Sequence, residues 1–125
     1  FGRVTRRKSV AFLISDFFDR GWDHAVAVAH RRHDMGAVLV QDPRERAWVD
    51  VGLIELEDFE TGERRLVDTS DAGARRAFER TVALADARRK RFFDSIGLDT
   101  VAVATDRPIA DALVRFFRQR ERRRR

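Results

Sequence analysis

The chain has no cysteine and no tyrosine, and only two prolines and one methionine among its 125 residues. Without cysteine, disulfide bonds, thiolate zinc sites and a cysteine nucleophile are excluded. No apolar run approaches the roughly 20 residues of a membrane-spanning helix, and no secretory signal peptide is recognised. A hydrophobic share of 43% suffices for one modest core. We therefore expect one domain and, because the chain begins at Phe1 rather than Met, a piece of a longer protein.

Positive charge is concentrated at the two ends of the chain, whose net charge is +5 at pH 7. Residues 115–125 hold seven arginines and one glutamate, a net +6, and residues 1–8 hold four basic residues, a net +4. Residues 9–114 therefore carry −5. Because a nucleic-acid-binding face is normally a basic patch on the fold itself, we expect no specific nucleic-acid binding. We interpret residues 118–125 as a solvated basic tail.

The start of the chain predicts a strand, a helix and a second strand. Residues 10–14 and 36–42 are continuous apolar runs, which are typical of strands buried on both faces. Between them, residues 22–32 carry apolar side chains at helical spacing, with Asp19 placed to cap the helix. A strand, a helix and a strand with short links form a βαβ unit, which implies parallel pairing and a right-handed crossover.

The middle of the chain predicts a β-hairpin followed by a long helix. Residues 51–68 alternate between apolar and polar side chains, and a glycine turn lies within residues 60–63. Thr69 or Ser70 can cap a helix that reaches about Ser95, because an apolar stripe continues along it.

The rest of the chain completes an α/β pattern. Gly97 is placed to stop the long helix, residues 100–106 form a third apolar strand, and a last helix begins near Pro108. This order predicts a parallel sheet covered by helices, of the doubly wound, Rossmann-type kind, with an added hairpin. The first strand would lie at an open sheet edge, which proteins generally avoid. We therefore expect a partial domain, or self-association through residues 9–15.

Each of the three predicted core strands ends in a polar residue followed by an aspartate. These pairs are Ser15 and Asp16, Gln41 and Asp42, and Thr105 and Asp106. Because the carboxyl ends of parallel strands meet at one edge of a sheet, we expect the aspartates to share that edge. Carboxylate and hydroxyl oxygens suit Mg²⁺, Mn²⁺ or Ca²⁺.

A structural role is the alternative for each aspartate, since Asp often caps the helix that follows a strand. The sequence favours capping for Asp106 and a turn before proline for Asp42. For Asp16 the structural and ligand roles are about equally favoured, because Asp19 is the better placed cap.

For each enzymatic function considered, the sequence lacks part of the required set of site residues. No G-x-G-x-x-G phosphate loop is present. Asp16 is placed like a phospho-acceptor, but no lysine ends a later strand to complete such a site. A metal-dependent hydrolase acting on phosphate esters stays an alternative; Arg44 or Arg107 can supply its cation, but no general base is evident.

Several segments carry a family resemblance that covers nearly the whole chain. They are "LISDFFD", "RRHDMGAVLVQDPRE", "DVGLIELEDFETGE", "VDTS" and "GLDTVAVATDRPIADALVRFFRQRERR". These resemble the C-terminal half of a bacterial family of uncharacterised, MoxR-associated proteins with a von Willebrand factor A-like domain (domain of unknown function fifty-eight). The resemblance implies that residues 1–117 are the C-terminal portion of such a domain.

The resemblance also implies a metal-ion-dependent adhesion site. Asp16, with Ser15 beside it, matches the family's aspartate at the end of its fourth strand. The other elements, an Asp-x-Ser-x-Ser motif and a Thr or Asp from a middle loop, would lie upstream of Phe1. We therefore expect Mg²⁺ or another divalent cation in the intact domain and none bound by this fragment.

The resemblance implies a non-enzymatic protein-interaction module. Its implied partner is a MoxR-type AAA ATPase, in an assembly or chaperone-like role in the bacterial cytoplasm. The hairpin of residues 51–68 and the "DPRE" run would flank the partner surface. Asp42, Arg44, Glu45 and Asp106 are possible residues of that surface; the family pattern places no ligand at Asp42 or Asp106.

Overall fold

The computed structural model describes residues 7–58 and 61–124. Its contacts divide the chain into a sheet unit, Phe1–Asp42 with Ala87–Arg125, and a hairpin unit, Pro43–Asp86. The strands and helices, in chain order, are β1 (Val10–Ser15), α1 (Trp22–Arg32), β2 (Asp34–Gln41), β3 (Leu53–Glu57), β4 (Arg64–Asp68), α2 (Ala72–Ile96), β5 (Asp99–Ala104) and α3 (Ala110–Arg124). The predicted α/β class with a parallel sheet is confirmed. Residues 59–60, and so part of the predicted turn, lie outside the described residues.

The sheet unit contains a three-stranded parallel sheet in the order β1-β2-β5. β1 runs beside β2 with Val10 opposite Asp34 and Ser15 opposite Leu39. β2 in turn runs beside β5, with Gln41 opposite Ala104. Within the described residues β1 is therefore an edge strand, as the sequence predicted.

One face of the sheet carries the apolar core. Alternate β2 residues, Met35 and Ala37, pack with Val26 of α1 and Phe93 of α2. These are the side chains that helical and strand periodicity direct to one side. Phe93 is 2% exposed, and burying a phenylalanine stabilises a fold by about 1.5–3 kcal/mol.

The opposite face of the sheet is covered by α3. Phe12 of β1 meets the rings of Phe116 and Phe117 edge-on, at centroid distances of 6.4 and 5.1 Å. Gly36 lies beneath this contact, and a Cβ there would run into the Arg120 guanidinium and approach Phe116 to 3.1 Å. Glycine at this position leaves room for the Arg120 guanidinium and the Phe116 ring. Helices thus cover both faces of the sheet.

The guanidinium of Arg120 joins α3 to the beginnings of two strands. Arg120 is 7% exposed. Its Nη1 donates to the Met35 carbonyl at 3.0 Å and its Nη2 to Asp34 Oδ1 at 2.6 Å. Its Nε lies 3.6 Å from Asp99 Oδ2, and its charge lies 5.4 Å from the Phe12 ring centroid. Two carboxylates, a carbonyl and an aromatic ring therefore compensate the buried cation.

The basic C-terminal segment differs from the solvated tail that the sequence predicted. α3 continues to Arg124, and Arg120 is buried. Arg123 donates to Asp99 Oδ1 at 2.7 Å. The prediction is wrong for these two arginines because helical geometry turns Arg120 toward the sheet, where acidic partners begin β2 and β5. Arg118 and Arg122 are exposed, as expected.

The hairpin unit is built on antiparallel strands β3 and β4, with Leu53 opposite Asp68 and Glu57 opposite Arg64. The predicted hairpin is confirmed. Thr69, fully buried, follows β4; its Oγ1 accepts from the Val51 amide at 3.0 Å and donates to the Gly52 carbonyl at 2.5 Å. This hydroxyl fastens the chain before β3 to the end of β4.

Both ends of α2 have identifiable causes. Asp71 Oδ1 accepts from the Gly73 amide at 2.7 Å, so Asp71 is the cap rather than the predicted Thr69 or Ser70. Gly97, at φ +69°, ends the helix as predicted. The Leu98 amide donates to the Phe93 carbonyl and the Gly97 amide to the Asp94 carbonyl, the Schellman pattern.

We expect Arg120→Met to lower the free energy of unfolding by about 2–4 kcal/mol, because the acidic partners of Arg120 then lose their cation while the aliphatic packing is kept. Urea denaturation measures the change. The matched control, Arg122→Met on the exposed side of the same helix, should stay within about 0.5 kcal/mol of the wild type. Equal effects of the two substitutions would contradict this role for Arg120.

A second prediction concerns Asp68 at the end of β4. Hydrogen bonds from the Ser70 hydroxyl and amide hold the pKa of the Asp68 carboxyl below its ordinary value of 3.8. A lowered pKa favours the folded state above the unfolded-state pKa, and this contribution disappears as pH falls through the folded-state pKa. Ser70→Ala should raise the Asp68 pKa, as followed by NMR titration, whereas the control Ser95→Ala should not. An unchanged Asp68 pKa in Ser70→Ala would refute the assignment.

Candidate functional site

The carboxyl ends of the three parallel strands lie at one edge of the sheet, as the sequence predicted. We call the residues that follow them, Asp16, Asp42, Thr105 and Asp106, with Ser15, the carboxyl rim. The rim is staggered, because β1 ends opposite Leu39 while β2 continues to Gln41. The Thr105 amide donates to the Gln41 carbonyl at 3.0 Å, which ties the ends of β2 and β5 together.

The end of β1 is a tight turn made by its own polar side chains. Ser15 Oγ accepts from the Phe17 amide at 3.0 Å. Asp16 Oδ1 accepts from the Phe18 amide at 3.1 Å, and Ser15 Oγ lies 3.5 Å from the same oxygen. Asp16 as a residue is exposed, although its Oδ1 takes part in this turn. Sequence reasoning left the role of Asp16 open; the structure gives it a turn-forming role.

Phe17 adopts a left-handed backbone conformation at φ +58°, which is unusual for a bulky residue. Its ring is buried and contacts Trp22 at 4.9 Å and Phe93 at 5.2 Å between centroids. Backbone strain of this kind costs about 1–3 kcal/mol and clusters at functional sites. Burial of the ring offsets the strain and directs the chain so that Asp16 lies at the surface.

Arg89 of α2 supports this turn from inside the sheet unit. It is 8% exposed, and its Nη1 donates to the Asp16 carbonyl at 3.2 Å. A buried guanidinium therefore fixes the main chain of the residue whose carboxylate is exposed. The sequence analysis missed Arg89, because it lies among other arginines of α2 and its partner is distant in the chain.

Asp19 does not cap α1, contrary to the prediction. Gly21, in the left-handed region, precedes the first helical residue, and no side chain caps the helix. The main-chain carbonyl of Asp19 instead accepts from Trp22 Nε1 at 2.8 Å. The capping argument that released Asp16 for another role is therefore wrong, and the outward position of Asp16 rests on the turn itself.

The other predicted surface residues divide between the two units. Asp42 is half-buried and directly precedes the 3₁₀ turn Pro43–Glu45, in agreement with the predicted turn before proline. Arg44 and Glu45 are exposed in that turn, which belongs to the hairpin unit. Asp106 lies four residues before α3, outside the cap position that the sequence favoured. Its Oδ1 lies 3.8 Å from Arg107 Nε.

The carboxyl rim alone does not fit a divalent metal ion. Among residues 7–58 and 61–124, no three His, Cys, Asp or Glu side chains are grouped to hold one. One Asp16 oxygen is already an acceptor for a backbone amide, and Mg²⁺ and Ca²⁺ prefer about six or more oxygen ligands. Further ligands would have to come from outside the described residues.

Of the helices described, none is long and apolar enough to cross a membrane.

Comparison with protein families matches residues 1–88 to the family described as protein of unknown function DUF58. The chain belongs to the DUF58 family. This confirms the family part of the predicted resemblance. No solved structure matches the chain.

Two mycobacterial relatives illustrate the range of lengths among similar proteins. The uncharacterized protein MAV169 of Mycobacterium avium is 35% identical over 121 residues, which cover 96% of this chain and 71% of that protein. The uncharacterized protein Rv1480 of Mycobacterium tuberculosis is 33% identical over 121 residues, covering 96% of this chain and 38% of that protein. This DUF58 chain thus spans less than half of its longer relative.

The turn at Asp16 makes a testable prediction about one amide. Asp16→Ala removes the acceptor of the Phe18 amide, so that amide should exchange with solvent roughly tenfold faster. Asp16→Asn keeps an acceptor oxygen and should leave the exchange rate close to that of the wild type. Hydrogen exchange followed by NMR measures both. Equal Phe18 exchange in wild type and Asp16→Ala would contradict the turn geometry.

Proposed function

We propose that this DUF58 chain is part of a non-enzymatic protein-interaction module with a von Willebrand A-like fold, which captures its partner at the carboxyl rim. The observation that carries the proposal is Asp16: an exposed carboxylate on a strained turn, at the strand-end edge of a parallel sheet. Ligands of open α/β sheets bind at that edge. Because Arg89 and Ser15 already hold the turn in place, little conformational entropy is lost when a partner binds to Asp16.

A divalent cation is part of the proposal only for the intact domain. The carboxyl rim supplies too few ligands, so the remaining ones belong to residues outside this chain. Longer relatives, such as the mycobacterial protein of which this chain matches 38%, have room for such residues. In that arrangement Asp16 would support the cation, either through a water molecule or with one of its own oxygens.

The hairpin unit offers a protein-contact surface of its own. Leu53 and Leu66 lie on one face of the β3–β4 ladder, at 65% and 66% exposure. Glu55 and Arg64 lie on the same face, with Glu55 Oε2 3.7 Å from Arg64 Nη1. An exposed apolar patch with polar residues around it is a feature of protein-contact surfaces.

The partner that we propose is a MoxR-type AAA ATPase in the bacterial cytoplasm, with an assembly or chaperone-like role for the pair. The proposal rests on the resemblance of the "LISDFFD" and "DPRE" segments to MoxR-associated proteins. The hydrolase alternative stays a prediction, with Arg44 or Arg107 as its candidate cation.

The test is capture of a purified, nucleotide-free MoxR-type ATPase by the full-length protein, with Mg²⁺ or with EDTA. Nucleotide is left out because it binds Mg²⁺ itself. We expect Mg²⁺-dependent capture that weakens at least tenfold in Asp16→Ala, since an open metal position toward the partner is lost.

Asp19→Ala is the matched control, because the contact of Asp19 with Trp22 is made by its main-chain carbonyl, which alanine keeps. It should capture the ATPase as the wild type does. Asp16→Asn, which keeps the turn but removes the charge, should resemble Asp16→Ala. Capture that is indifferent to both EDTA and Asp16→Ala would sink the proposal.

A further inference from the structure

We infer that the outward face of α3 binds the phosphate backbone of double-stranded nucleic acid without regard to base sequence. The inference does not rest on the proposed function, because it concerns α3 rather than the carboxyl rim. It rests on three exposed residues of this helix, Arg115, Arg118 and Arg122, which we call the arginine stripe.

Helical geometry places the arginine stripe opposite the packed side of α3. Its members are three and four residues apart, the spacing that puts side chains on one face of a helix. The packed side carries Phe116 and Arg120, which are 6% and 7% exposed. Arg118 lies two residues from each of them, which is roughly 160° around the helix. The stripe therefore faces solvent on a helix that Arg120 holds against the sheet.

The guanidinium groups of the stripe are available to a ligand. In the described part of the chain, none of the three takes part in an ion pair or a hydrogen bond of its side chain. Arg123, on the same helix, is instead paired with Asp99 at 2.7 Å. The acidic residues of α3 are Asp111, in the first turn where the helix dipole favours a carboxylate, and Glu121, to one side of the stripe. Three cations thus lie together without a compensating partner.

This arrangement is unfavourable for the helix by itself. Like charges three or four residues apart repel each other and destabilise a helix. Arg122 gains from the dipole at the carboxyl end, but Arg115 and Arg118 lie in the middle of α3. Residues that break a local rule in this way are expected at functional sites. A polyanion bound to the stripe supplies the compensation that the helix lacks.

The chemistry of the stripe favours a phosphate polymer over an acidic protein surface. Solvent-exposed pairs of arginine and carboxylate contribute little free energy. A nucleic acid differs, because each neutralised phosphate releases a condensed counterion and this release drives binding. The planar guanidinium also matches a phosphate group with two parallel hydrogen bonds. Because residues 9–114 carry a net −5, contact with a polyanion is confined to the basic ends of the chain.

The dimensions of the stripe indicate a duplex that is bound through its backbone. From Arg115 to Arg122 the helix rises by about 10.5 Å, the length of roughly three nucleotides of one DNA strand. Single strands are normally bound by stacking on exposed aromatic rings, whereas Phe116 and Phe117 of α3 contact Phe12 of the sheet. A bilayer surface is disfavoured as well, because an interfacial helix needs a free apolar face and that of α3 packs on the sheet.

The test is fluorescence anisotropy of the full-length protein with two labelled DNA duplexes of equal length and unrelated sequence. At low salt we expect both duplexes to bind with the same Kd, in the micromolar range. A triple variant of the stripe, with Arg115→Gln, Arg118→Gln and Arg122→Gln, should bind at least tenfold more weakly. Its plot of log K against log salt concentration should be shallower by about 2.7, because each lost phosphate contact removes about 0.9 from the slope.

Two control variants separate the stripe from net charge and from folding. Arg76→Gln, Arg80→Gln and Arg91→Gln together remove the same charge from exposed positions of α2, and should leave Kd within about twofold of the wild type, since salt screens distant charges. The triple arginine-to-lysine variant of the stripe keeps its charges and should keep most of the affinity and the salt slope. Thermal unfolding should be the same for all variants, because every replaced side chain is exposed.

Four results would overturn the inference. They are a wild-type protein that binds neither duplex at low salt; equal losses in the stripe variant and the α2 control; a strong preference for one of the two duplexes; and tighter stripe-dependent binding to phosphatidylglycerol vesicles or to polyglutamate than to DNA, which would assign the stripe to a membrane or to an acidic protein. None of these results bears on partner capture at Asp16.

Discussion

The buried guanidinium of Arg120 is the interaction on which the rest of the sheet unit depends. It lies where α3 passes the beginnings of β2 and β5. On β2 it donates to the Met35 carbonyl and the Asp34 carboxylate, and on β5 it forms an ion pair with the Asp99 carboxylate. Gly36 beneath it leaves the necessary space. A long cationic side chain can be buried only when such partners are present. The position of α3 on the sheet is therefore fixed at the amino ends of the strands.

The opposite end of the same sheet is organised differently. Arg89 also buries a guanidinium there and donates to the main-chain carbonyl of Asp16, while Asp16 itself is exposed. Phe17 adopts a left-handed backbone conformation, and the packing of its ring against Phe93 compensates the energetic cost of that conformation. One end of the sheet thus holds its acidic residues in internal ion pairs, whereas the other end presents an acidic residue to solvent. This asymmetry is why the carboxyl rim is the candidate functional end.

Local patterns predicted much of this fold, and long-range contacts account for what they missed. Helix α1 begins and ends where its apolar spacing indicated, and Gly97 stops α2. The burial of Arg120 could not be predicted, because the residues that it bonds lie 85 and 86 positions away and its neighbours are solvated arginines. Asp19 was predicted to cap α1 only from its position in the sequence. In the structure the residue before the helix is Gly21, in a left-handed conformation. At the carboxyl rim, the shared edge was predictable but the supporting Arg89 was not.

The central claim is that a partner binds at the carboxyl rim, and amide-resolved NMR tests it most directly. The full-length protein, labelled with ¹⁵N, is titrated with a nucleotide-free MoxR-type ATPase in the presence of Mg²⁺. The account predicts the largest signal changes at residues 15–18, 42 and 105–106, with little change around Arg120. Changes confined to the Arg120 end of the sheet, or no changes at all, would contradict it.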